Sequence, residues 1–332
     1  MKKLIVLLLA FAMVGAVSAQ VTTAISLSGA VTLVDQAGKG VFAADGNGYD
    51  TLTFKASEKD GKYGFSITDQ NVLNGFSDLY ESVYGDLNDD GDTADKVDAI
   101  RDWNVWYKTS FAKVFFGNLR NGDFRFASVY GYSDYMGSSD RISGYGLLVE
   151  SLPMNGLTFG VNLPFGTTAA NTLDVLQKAD LGVKYAIKDV GALFVMANLD
   201  LVTPKNVVNA GFNYTGMKGL NAVLNVKGQF NANQYNAYLG LDYTGVDKLE
   251  AYFEAYFQSK AGVIGWMVFA EGDYAVTDAL TAIVGAAVGD ASYLDVYGEA
   301  DYAFGNGFTA KAIVGYDTAL YAKLKACYAI SF

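Results

Sequence analysis

The last thirteen residues, LYAKLKACYAISF, constrain the fold most. Leu320, Ala322, Leu324, Ala326, Tyr328, Ile330 and Phe332 share one parity; Tyr321, Lys323, Lys325, Cys327, Ala329 and Ser331 share the other. Side chains of a strand alternate between two faces, so this segment reads as a strand with one greasy and one largely polar face. The same alternation recurs upstream. In 219–230, Leu220, Ala222, Leu224 and Val226 oppose Asn221, Asn225, Lys227 and Gln229. In 248–258, Leu249, Ala251, Phe253, Ala255 and Phe257 oppose Lys248, Glu250, Glu254 and Gln258. Many strands with one apolar face each must find something to cover that face.

Eighteen segments read as strands, the first at 22–34 and the last at 320–332, with sixteen as the next reading of the count. Most match the ~9–11 residues of a tilted strand that crosses a bilayer. Composition agrees: 23 Tyr, 21 Phe and 37 Gly against 3 Pro suit strands joined by tight turns. Tight turns are expected at Asp60-Gly61, Asn155-Gly156, Lys188-Asp189, Met217-Lys218, Val246-Asp247, Thr277-Asp278 and Asn306-Gly307. They interleave with longer connections at 35–48, 71–99, 120–140 and 165–178. A repeat reinforces the pattern. YAIKDVGA, YTGMKGLNA, YTGVDKLEA, YAVTDALTA and YAFGNGFTA begin at Tyr185, Tyr214, Tyr243, Tyr274 and Tyr302, at intervals of 29, 29, 31 and 28 residues. Each is a strand end, a turn and a strand start, and each Tyr has outward parity at the rim, where interfacial aromatics are favoured.

The N-terminus, MKKLIVLLLAFAMVGAVSAQ, carries Lys2 and Lys3, an apolar run from Leu4 to Val17 and the small-residue pattern Val17-Ser18-Ala19. This reads as a secretory signal peptide over 1–19, cut after Ala19, since the run is short of the ~20 apolar residues of a spanning helix. Residues 20–332 show no linker and read as one closed sheet. Removing the two signal lysines deepens a net charge already at −11, which argues against nucleic acid as a partner.

The C-terminal segment resembles the closing strand of bacterial outer-membrane β-barrels, with Lys325, Tyr328, Ile330 and Phe332 at the positions of their assembly signal; Cys327 stands where that family carries Gly. The mature chain as a whole resembles the general-diffusion porins. The resemblance implies an all-β, transmembrane, antiparallel up-and-down barrel in the outer membrane of a diderm bacterium, around a water-filled lumen. It implies outer-membrane lipids, the barrel-assembly machinery and small hydrophilic solutes as partners, with a homotrimer as a further expectation.

In general porins the third external loop folds into the barrel and narrows it. Here all four arginines, Arg101, Arg120, Arg125 and Arg141, fall in or beside that loop, with Asp123, Asp134 and Asp140 as opposing acids. Opposed charges at a narrow passage filter solutes by charge and size. The alternative is that the arginines decorate the outer surface. Residues 86–98, DLNDDGDTADKVD, place Asp86, Asn88, Asp90 and Asp92 as in the first half of a calcium loop, but Val97 stands where the bidentate Glu belongs. A solvated acidic loop is the plainer reading, so no cofactor is expected and Ca2+ is the one candidate. Inward parity in the C-terminal half carries Asp242, Glu250, Glu254, Glu271, Asp273, Asp295, Glu299 and Asp301 against Lys227, Lys248, Lys311, Lys323 and Lys325. Carboxylates repeating along strands line a lumen rather than form an acid–base pair. With no histidine in the chain, the Ser–His and acid–His chemistries of membrane-barrel enzymes are absent, so no enzyme is expected. The function expected is passive diffusion of ions and small hydrophilic solutes. The alternatives are a substrate-specific channel, for example for sugars, with Tyr238, Tyr252, Tyr256, Tyr293 and Tyr297 as an aromatic track, or a structural surface barrel or adhesin.

Overall fold

A computed structural model describes residues 21–35, 43–44, 51–70, 100–119, 124, 126, 128–132, 142, 144–164, 176, 178–201 and 206–331. Residues 1–20, which hold the expected signal peptide, lie outside the described residues. The strands are β1 (Val21–Asp35), β2 (Ala43–Ala44), β3 (Thr51–Glu58), β4 (Tyr63–Gln70), β5 (Ile100–Lys108), β6 (Ala112–Leu119), β7 (Gly144–Ser151), β8 (Leu157–Pro164), β9 (Asp180–Ile187) and β10 (Gly191–Asn198). They continue as β11 (Val207–Met217), β12 (Leu220–Gln229), β13 (Gln234–Val246), β14 (Leu249–Lys260), β15 (Val263–Ala275), β16 (Leu280–Gly289), β17 (Leu294–Gly305), β18 (Phe308–Asp317) and β19 (Ala319–Ser331). β2 is a two-residue pairing on β1, so eighteen strands make the wall. Each pairs antiparallel with its neighbours in sequence, and β1 pairs with both β3 and β19. The sheet therefore closes on itself, and none of the eighteen described wall strands is left as a free edge.

Closure runs from Ser26↔Ser331 to Asp35↔Lys323, with a bulge between Thr32 and Val34. It places Lys325, Tyr328 and Ile330 in the closing strand, opposite Thr32, Gly29 and Leu27. Phe332 lies outside the described residues.

The turns follow their local chemistry. Asn155 and Gly156 have φ of 52° and 84°, and Asn306 and Gly307 have 52° and 82°; positive φ at both central residues is what a two-residue hairpin loop requires. The long connections all precede β11. Beyond it both rims turn tightly, as at Ala261-Gly262 and at Thr318 on the rim opposite the expected turns. Lys248, expected at the start of a strand, instead sits in the turn before β14 at a φ of 61°, exposed, with its carbonyl accepting from Ala275.

The two faces separate as the alternation demands. On β12, Leu224 and Val226 are half-exposed on the outside while Asn225 and Lys227 are buried inside. Val183, Val195, Leu239, Val284 and Val314 extend the exposed apolar band around the wall. A soluble monomer rarely leaves so continuous an apolar surface in water; lipid is the medium that covers it. At the short-turn rim Tyr185, Tyr243, Tyr274 and Tyr302 are exposed and Tyr214 is partly covered. Tyr243, Tyr274 and Tyr302 stand opposite the first residues of β12, β14 and β16, namely Leu220, Leu249 and Leu280. The repeat is thus a girdle of aromatic rings at one membrane interface.

The packed core lies inside the barrel, on one side of it. Phe115, Leu148, Met196 and Val223 of the wall meet Phe124, Phe126 and Ile142 from the connection between β6 and β7. The lumen is therefore partly filled by its own chain.

Candidate functional site: a lumen crossed by a loop

The connection between β6 and β7 enters the barrel through a notch made of missing side chains. Gly160 of β8 and Gly182 of β9 are register partners on the inner wall. A Cβ on Gly160 would come within 2.5 Å of the Phe124 ring, and one on Gly182 within 2.6 Å, with Ile142 against it as well. Phe124 is 1% exposed in this seat. Ile142 N–H donates to the Phe124 carbonyl at 2.9 Å, tying the two limbs of the connection together at its base.

From there the chain cuts across the lumen. Phe126 stacks edge-on against Tyr238 of β13, with ring centroids 5.0 Å apart. Two residues of chain reach only ~7 Å, so the step from the β8–β9 wall to β13 cannot follow the intervening strands around the circumference. Val129 N–H donates to the Tyr238 hydroxyl at 2.7 Å. Val129 also packs where Gly240, the register partner of Glu254, presents no side chain.

The tip of the segment closes around Glu254 of β14. Tyr130 and Gly131 N–H donate to its Oε1 at 2.8 and 2.9 Å, and Tyr132 N–H donates to Oε2 at 3.0 Å. The Tyr238 hydroxyl donates to Oε1 at 2.7 Å and the Tyr256 hydroxyl to Oε2. Five donors thus converge on one carboxylate that is fully buried. Bonds to an ionised acceptor are about twice as strong as neutral ones.

Beyond Glu254, two tyrosines of the tip reach the far wall. The Tyr130 hydroxyl donates to Glu271 at 3.0 Å, and Tyr297 donates to the same carboxylate. The Tyr132 hydroxyl donates to Asp295 at 2.6 Å and lies 2.8 Å from the Tyr293 hydroxyl. Tyr132 stacks on Phe269, centroids 4.3 Å apart at 14°. Burial, with the Glu271 charge beside it, pushes the Tyr130 hydroxyl up to about 12, against a smaller opposing effect of its bond to Tyr297. Burial and Asp295 raise Tyr132 likewise. Both phenols stay protonated and so act as donors in these contacts.

The rest of the described inner wall is polar. Asn162 and Asn198 each donate to Asp180 at 3.0 Å, and Asn225 donates to Asn209 at 2.6 Å. Lys311 pairs with Glu299 and Asp301, both at 2.7 Å. Such a surface is compatible with water and hydrated ions. No group of three or more acidic, Cys or His residues able to hold a metal occurs among the described residues.

Of the residues singled out by sequence, Arg101 is placed on β5 by its backbone. Arg120, Asp123, Arg125, Asp134, Asp140 and Arg141 lie outside the described residues, as do Asp86, Asn88, Asp90 and Asp92. The inward tyrosines Tyr238 and Tyr256 are buried against the loop rather than free to form a track. The charges do not mark this seat; the glycines do. Gly160, Gly182 and Gly240 all have inward parity, and a run of inward glycines in an aromatic-rich barrel is a signal for something docked inside.

No family model matches the chain, and no curated protein does. Among solved structures, a five-substitution mutant of the porin of Rhodopseudomonas blastica is 16% identical, with a TM-score of 0.50, over 94% of this chain and 100% of that one. A double mutant of the same porin is 15% identical, with a TM-score of 0.50, over 93% of this chain and 100% of that one. At this identity the likeness concerns the fold, and it agrees with the closure and faces described above: this chain is a transmembrane β-barrel with the fold of the porins.

Proposed function

We propose that this protein is an outer-membrane channel, exported by a signal peptide over 1–19, through which ions and small hydrophilic solutes diffuse passively. The observation that carries this reading is the loop inside the lumen. A wall of eighteen strands encloses a bore too wide for side chains to fill, and Phe124, Phe126 and residues 128–132 reach from the β8–β9 wall to β14 across it. A passage narrowed from within, polar on its lining and apolar outside, is suited to sieving hydrated solutes. Arg101, Arg120, Asp123, Arg125, Asp134, Asp140 and Arg141 belong to the same connection and its flanks, and they are the charge set proposed for the narrow point. A sugar-guiding track is less well supported, because Tyr238 and Tyr256 spend their rings and hydroxyls on holding the loop.

The test is single-channel recording in planar bilayers. Discrete ohmic steps are expected, with a modest cation preference in a salt gradient that weakens as salt rises, since carboxylates outnumber lysines on the described C-terminal lining. Replacing Arg120 and Arg125 together by Ala is expected to raise conductance and cation preference, while Lys39→Ala in the first external connection is expected to change neither. Absence of any conductance would leave the structural-barrel alternative standing.

A further inference from the structure

The geometry points to Glu254 as the latch of the constriction: its carboxylate sits in an anion nest formed by the backbone of 130–132, and occupancy of that nest sets the bore of the channel. The inference rests on the channel reading and adds to it a positioning residue that touches no solute.

A backbone that turns three successive N–H groups toward one point makes a concavity for an anion. Tyr130, Gly131 and Tyr132 do this around Glu254, and Gly131 has a φ of 92°, a conformation that L side chains rarely adopt. The anion is supplied by the barrel wall itself, so the nest is filled only when the tip lies against β14. The other end of the segment is held differently. Phe124 sits in the Gly160–Gly182 notch by shape alone, with no charged partner in that contact. One attachment is therefore apolar, and at the other Glu254 takes all three backbone N–H groups of 130–132, while Glu271 and Asp295 take only the hydroxyls of Tyr130 and Tyr132. Loss of the Glu254 carboxylate leaves those three N–H groups without their acceptor and the tip held by its side chains, so the tip loosens from β14 while the base stays seated.

Glutamine cannot replace Glu254 here. Each oxygen accepts at least one backbone N–H, so an amide in either orientation turns its NH2 toward a backbone donor. Aspartate keeps the charge on a shorter stem.

The test compares wild type, Glu254→Gln, Glu254→Asp, Glu254→Ala and Gly131→Ala in planar bilayers. For Glu254→Gln and Gly131→Ala the expected result is a larger mean conductance and a second, wider level whose occupancy rises at least about tenfold, with Glu254→Asp nearer to wild type. Should Glu254→Gln fail to assemble, Gly131→Ala leaves the wall and its carboxylate intact and carries the same readout. Formate supplied to Glu254→Ala should restore the narrow level, and neutral formamide of similar size should not; a merely structural gap would respond to both or to neither. A wild-type channel whose conductance and level structure match those of Glu254→Gln and Gly131→Ala would overturn the latch. Restoration by formamide as readily as by formate would overturn the nest. A wild type that does not conduct at all would instead overturn the channel reading.

Discussion

At the scale of single residues, glycine decides where the loop goes. Gly160, Gly182 and Gly240 are three inward positions at which a Cβ would collide with the loop or with the tyrosine that holds it. Gly272, in contrast, has open space around its missing Cβ. Gly182→Val should evict Phe124 from its seat. Overpacking of this kind typically costs ~1–3 kcal/mol, to be read as a lower temperature for the heat-induced shift in gel mobility, together with higher single-channel conductance. Gly272→Ala should change both by no more than the scatter of repeats. Equal behaviour of the two variants would show that Phe124 does not depend on the notch.

The elements of the barrel differ in how they are fixed. Interior hairpins are specified by their own turns, as the positive-φ pairs at Asn155-Gly156 and Asn306-Gly307 show. The β1–β19 pairing has no turn, since its partners come from opposite ends of the chain. Its register must come from the strands themselves and from whatever guides their meeting. Deleting Phe332 is therefore expected to reduce the amount of assembled barrel severalfold while leaving the spectrum and conductance of any protein that does assemble unchanged. Quantifying membrane-extracted, heat-modifiable protein checks this; normal levels of the truncated chain would dismiss the terminal aromatic as an assembly signal.

For the whole molecule, the balance of its two surfaces sets its environment. The outer face keeps its valines and leucines exposed in a continuous band, and tyrosines ring the short-turn rim. Water would penalise that band at about 25 cal/mol per Å2 of apolar surface, while lipid does not. The protein should therefore fractionate with membranes and migrate at different positions on a gel before and after boiling, because a closed sheet with no edge resists detergent until heated. Soluble fractionation together with a single unshifted band would reject the transmembrane barrel.

The sequence by itself determined the strands, their faces and most of their turns. These depend on period-two alternation and on residues such as Asn-Gly, all within a few positions of one another, and the medium outside the wall then follows from which face is apolar. The chain could not by itself show which lumen carboxylate matters. Glu254 reads as one inward acid among eight, and only the closed barrel brings it to the N–H of Tyr130, 124 residues away. The same holds for Gly160 and Gly182, whose inward parity signals something docked inside but does not say that Phe124 fills the space. Contacts made across the lumen depend on closure, and closure is a property of all eighteen strands together rather than of any one of them.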